Sequence, residues 1–150
     1  MQAPERDRRI ASLLHAAMLL SVAVYGAVVA FYRLAVVPDL TPPRQADALL
    51  AVLAGVSVAQ LAGASIAARA VLRSRRGDTV SRVRLSFLLR AAAAEATAIY
   101  AFTLGFLGAP ASGVVGLFVL GAAALAACTP GRRAWERASG TAAGGGVSPG

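Results

Sequence analysis

One residue in this chain stands apart by chemical type and setting. Glu95 lies in the run Arg90-Ala-Ala-Ala-Ala-Glu95-Ala-Thr97-Ala-Ile-Tyr100-Ala-Phe-Thr-Leu-Gly105, inside a hydrophobic segment long enough to cross a bilayer. A charge at the bilayer centre costs at least ~2.5–3.5 kcal/mol on insertion scales. A carboxylate there is neutralised by a proton, paired with a polar group, or bound to an ion. The chemistry open to it is therefore uptake of H⁺ or Na⁺, or a buried hydrogen bond to Gln60 or a backbone carbonyl. Arg90 is a poor partner within the helix, because residues five apart point in different directions. Gln60 interrupts a second apolar segment near its middle, a position typical of hydrogen bonding between membrane helices. His15, close to an apolar boundary, reads as a packing residue rather than a proton relay.

Enzymatic chemistry finds no support in the residue inventory. A single His, a single Cys and one deep carboxylate make neither a metal cluster nor a nucleophile with its base. Lysine is absent, so no phosphate-binding loop of the glycine-lysine kind exists. Cys128 is alone and has no intrachain disulfide partner. No cofactor is expected beyond H⁺ or Na⁺.

The elements that position Glu95 follow from hydropathy. The chain has 150 residues, of which 57% are hydrophobic and only 15% charged. Four stretches read as transmembrane helices, at about residues 10–32, 48–68, 85–108 and 111–129. At 1.5 Å per residue, ~20 residues cross a ~30 Å hydrocarbon core. The first two stretches hold no charge at all. The fourth is short and is expected close to the membrane normal. Gly105, Gly108, Pro110 and Gly113 mark the turn before it. The expected fold is an all-α membrane protein: one domain over residues 1–132, then a cytoplasmic tail at 133–150. That tail is largely Gly, Ala, Ser, Thr and Pro, with nothing to bury, and is expected to be disordered.

The arginines orient the spans. All fifteen positive side chains are Arg, and most fall at the N-terminus, between Arg69 and Arg90, and at Arg132, Arg133 and Arg137. An excess on alternate connections is the positive-inside pattern, which predicts both termini in the cytoplasm. Arg69, Arg73, Arg75, Arg76 and Arg90 are expected to meet lipid head groups, with Arg69 and Arg90 snorkelling back from the apolar boundary. This distribution accounts for the pI of 11.4 without nucleic acid. The first segment is too long for a signal-peptide core and reads as a span. The absence of lysine suggests a high-GC bacterial genome, and hence a bacterial plasma (inner) membrane.

Two patterns bear on assembly. The second segment carries small residues every fourth position, Ala51, Gly55, Ala59, Gly63 and Ala67, along one stripe that predicts close helix packing. Such packing fits either one bundle or a homo-oligomer, and a membrane partner subunit is a further expectation. A shift of 75 residues also brings Leu13-Leu14-His15-Ala16-Ala17 onto Leu88-Leu89-Arg90-Ala91-Ala92, and Tyr25 and Phe31 onto Tyr100 and Phe106. This suggests a duplicated helical hairpin in which Leu20 takes the place of Glu95.

Finally, the hairpin from Gly55 to about Leu107 resembles the proteolipid subunit c of rotary ATP synthases. The stretch Ala94-Glu95-Ala96-Thr97-Ala98-Ile99-Tyr100 is similar to the helix around that family's ion-carrying carboxylate, most of all in its sodium-binding branch. Gly55-Val-Ser-Val-Ala-Gln60 occupies the place of that branch's Gln-bearing helix. The resemblance implies an ion site of Glu95, Gln60, Thr97 and Tyr100. Ala96 stands where the family has a ligating Ser, and the loop Arg73-Ser-Arg-Arg-Gly-Asp78 departs from the family's Arg-Gln-Pro. Tyr100 also lies about 140° around the helix from Glu95, off its stripe.

Overall fold

The computed structural model of the chain describes residues 3–37, 43–74 and 79–128. Arg75, Arg76 and the tail at 133–150 lie outside the described residues. The described chain is helical: α1 (Ala3–Phe31), prolonged by a π-helical turn (Tyr32–Val36), then α2 (Ala46–Arg73), α3 (Thr79–Phe106) and α4 (Ala111–Ala127). Three of these helices are long and apolar enough to cross a membrane. α4 has 17 residues, about 26 Å at 1.5 Å per residue, a little short of a ~30 Å core. Each expected span falls largely within its helix: the first ends in the π turn, the third runs two residues past α3, and the fourth passes Ala127 to end outside the described residues.

The turn between α3 and α4 is built as the sequence proposes. Gly108 adopts φ 78°, which a side chain would strain. Around it, the Ala109 N–H donates to the Leu104 carbonyl and the Gly108 N–H to that of Gly105, closing α3 with a Schellman motif. Pro110 follows and begins α4. Arg33, on the π turn, donates from Nη2 to the Ala109 carbonyl at 2.7 Å and ties the end of α1 to this corner.

Helix α3 is the centre of the bundle. Of its most apolar stretch 44% is buried, against 11% for α1 and 6% for α2. It packs against all three other helices, whereas the backbones of α1 and α2 stay apart among the described residues. The alanines explain this: Ala91, Ala94, Ala98 and Ala101 are fully buried. Small side chains let neighbouring backbones come close where no hydrophobic force separates helix from lipid. Gly121 of α4 lies directly against the α3 backbone. A Cβ there would sit 3.0 Å from the Ala94 carbonyl oxygen and 3.2 Å from the Ala98 nitrogen.

Packing within the single chain takes a different form from two of the patterns in the sequence, and leaves the homo-oligomer alternative for the α2 stripe open. The stripe Gly55, Ala59, Gly63 and Ala67 does not face the bundle. All four are exposed, and nothing lies within 4 Å of a Cβ built at Gly55 or Gly63. α2 instead turns Ser57 and Ala68 inward, both buried. On the α3-facing side of α2, Gln60 meets the Tyr100 hydroxyl, and Gln60 and Ala64 share a cleft with Leu85 and Leu89. The duplicated hairpin is also not reproduced as two like units, because the backbones of α1 and α2 stay apart while α3 and α4 pack closely. What survives is the parallel placement of α1 and α3. Their ring pairs His15–Phe87, Tyr25–Phe102 and Tyr32–Phe106 run in the same direction along both helices.

Candidate functional site

Glu95 is half-buried on the side of α3 that faces α1. The apolar part of α3 runs from Leu85 to Phe106, which places Glu95 ten residues from one end and eleven from the other. Its stripe on α3 continues through Phe102 and Phe106 one way and Ala91 and Leu88 the other, at spacings of four, seven and eleven residues. Between Glu95 and the α3–α4 turn stands an aromatic ladder. Tyr25 stacks on Phe102 at 5.3 Å, Phe102 on Phe106 at 4.9 Å, and Phe106 on Tyr32 at 4.4 Å between ring centroids. This ladder closes the α1–α3 seam on that side. On the other side the seam is lined by Met18, Val22, Leu88 and Ala91.

The hydrogen-bond partner of Glu95 is one that sequence reasoning passed over. Ser21 Oγ on α1 lies 3.1 Å from Glu95 Oε1 and 2.8 Å from the Met18 carbonyl oxygen. A serine in an apolar helix gives little signal by itself. The 75-residue shift pointed to the right depth, since it matches Glu95 with Leu20, next to Ser21.

The other residues of the expected ion site go elsewhere. Tyr100 donates its hydroxyl to Gln60 Oε1 at 3.2 Å, so these two meet across the α2–α3 seam. Thr97 is fully buried, and its hydroxyl donates to the Ala93 carbonyl at 3.1 Å. The described hydrogen bonds join Glu95 to neither Gln60, Thr97 nor Tyr100. The cause is helical geometry: position 95 points towards α1, whereas 97 and 100, three residues apart, lie on the other side of α3. One check follows directly. Thr97→Val removes a hydroxyl bonded only within its own helix, so ion-dependent behaviour should stay at the wild-type level, with stability changed by no more than ~1 kcal/mol. A wild-type response lost in Thr97→Val would restore Thr97 as a ligand.

Among the described residues no cluster of three or more His, Cys, Asp or Glu could hold a metal ion. Arg69 and Arg73 are exposed on α2, and Arg90 is half-buried on α3, all towards the α2–α3 connection. No protein family, curated protein or solved structure matches this chain. The functional reading therefore rests on the residues themselves.

Proposed function

We propose that this chain is a small multi-pass membrane protein with four spans and both ends cytoplasmic in a bacterial plasma membrane, and that Glu95 binds a proton at mid-depth. The observation that carries this reading is the position of the Ser21 hydroxyl. It has one hydrogen to give and two acceptors within reach, the Met18 carbonyl and Glu95 Oε1. With Glu95 ionised, Ser21 donates to the carboxylate. With Glu95 protonated, Ser21 turns back to Met18 and its oxygen accepts from the acid. Both protonation states are hydrogen-bonded with no movement of a helix. A reversible proton carrier needs such a pair of states.

The same geometry favours H⁺ over Na⁺. A hard cation needs several oxygens converging on one point. Here the Gln60 oxygen is engaged by Tyr100, and the Thr97 hydroxyl by its own helix. The proposal keeps the carboxyl that the proteolipid resemblance singles out and gives up that family's sodium ligands. The exposed small-residue stripe of α2 supports assembly with a second copy or a membrane partner subunit.

A second reading has one observation in its favour. Among the described residues the backbone of α1 stays clear of α2, and α1 is largely exposed, so the Ser21–Glu95 bond is a polar pin that helps hold it on α3. In this reading the chain is a structural or accessory subunit and Glu95 carries nothing.

Carbodiimide, which reacts with protonated carboxyls in apolar surroundings, separates the readings. We expect Glu95 to be labelled in native membranes, faster at acid than at alkaline pH, and at the same rate with or without Na⁺. Protection by Na⁺ would point to a sodium site. Failure to label at any pH would leave the polar pin.

A further inference from the structure

A second polar feature lies at the other end of α3's buried run, and it does not depend on the role of Glu95. Arg90 is half-buried where α2, α3 and α4 converge towards the α2–α3 connection. It lines two small clefts. One, of about 130 Å³, is walled by Ser65, Ala68, Arg69, Leu72 and Ser86. The other, of about 210 Å³, is walled by Leu61, Ser65, Ala124, Ala127 and Cys128. A guanidinium carries five N–H donors in a planar fork. Among the described residues, only Nη2 of Arg90 meets an acceptor, the Ala127 carbonyl, at a weak 3.5 Å. Five residues, about 7.5 Å of helix rise, separate it from the bilayer midpoint at Glu95. A guanidinium at that depth requires an anion or a route to the head-group layer.

We propose that the Arg90 cleft is a binding site for the phosphate of an anionic membrane lipid. The fork of Arg90 is suited to bidentate contact with phosphate oxygens. Arg69, exposed on α2 at the mouth of the first cleft, supplies a second positive charge. Ser65 and Ser86 line the same cleft. The Ser86 hydroxyl now donates to the Val83 carbonyl at 2.8 Å and can be redirected to a phosphate oxygen. The apolar walls, Leu61, Leu72 and Ala124, are continuous with the lipid-facing surface and accept acyl chains. Basic clefts between helices at one membrane face have this chemistry. An inorganic phosphate ion offers the same oxygens without the chains.

The test uses the full chain purified in a neutral detergent. It is titrated with phosphatidylglycerol, with phosphatidylcholine of the same acyl chains, or with sodium phosphate, and bound lipid is read by native mass spectrometry. We expect phosphatidylglycerol to bind at least ~10-fold more tightly than phosphatidylcholine, and Arg90→Gln to lose that preference. Arg84→Gln, an exposed arginine of α3 outside the clefts, should keep it. If Arg90→Gln does not fold, Arg69→Gln is expected to weaken the preference in the same direction. Equal binding of the two lipids would overturn the proposal. So would loss of the preference in Arg84→Gln, which would mean diffuse attraction. Displacement of phosphatidylglycerol by millimolar sodium phosphate would overturn the lipid assignment in favour of the free ion.

Discussion

Gly121→Val will unfold at a markedly lower temperature than the wild type, or fail to assemble in the membrane. A Cβ at this position would meet the backbone of α3, at the Ala94 carbonyl and the Ala98 nitrogen, within 3.0 and 3.2 Å. Backbone cannot rotate aside as a long side chain can. Overpacking a tight contact costs ~1–3 kcal/mol, and the two extra methyls of valine place this substitution at the upper end. Because α3 is the helix on which the other three pack, displacing α4 opens the fold at its centre. Gly55→Ala and Gly63→Ala provide the contrast. Both positions have open space around a Cβ within the chain, so in the isolated protomer neither should lose stability, and each gains up to ~1 kcal/mol from the better helix propensity of alanine. Thermal unfolding of the three variants in one detergent compares them directly. A loss at Gly55→Ala as large as that at Gly121→Val would mean that the α2 stripe is packed as tightly as α4.

Glu95→Gln should abolish proton binding at the centre of α3 while leaving the fold almost unchanged. An amide has nearly the shape of the acid and still accepts a hydrogen bond from Ser21, but it takes up no proton. Hydrogen bonds between membrane helices average ~0.6 kcal/mol, so even Glu95→Leu, which loses the contact with Ser21, should weaken docking of α1 only slightly. The large effect is on titration and labelling: carbodiimide reactivity falls to background in both variants. A Glu95→Gln protein that falls apart like a core mutant would show that the carboxyl is structural.

Much of the fold was legible in the sequence because long apolar helices are written in composition. Long apolar runs, separated by Arg-rich or Gly- and Pro-containing connections, located all four helices, although α1 and α3 begin about two turns earlier, in charged sequence that hydropathy alone does not mark. The turn at Gly108 was legible too, since a glycine followed two residues on by proline closes one helix and opens the next. The packing was not. A stripe of small residues on α2 marks a surface able to approach another helix, yet says nothing of which helix takes it. The buried alanines of α3 carried an equal signal and took the central place. At the site, Glu95 was found from its isolation in an apolar run. Its partner Ser21 was not, because a hydroxyl in a membrane helix is satisfied by its own backbone and leaves no pattern. Local resemblance grouped Gln60, Thr97 and Tyr100 with Glu95, but helical rotation sends them to different seams. Tyr100 was the visible warning, lying some 140° from the carboxyl.

Infrared difference spectra between acid and alkaline pH, recorded on the full chain in lipid vesicles, address the carboxyl itself. The protein should show a protonated C=O stretch that disappears as pH rises, and Glu95→Gln should lack that component. A spectrum identical in the wild type and Glu95→Gln would contradict proton binding at Glu95.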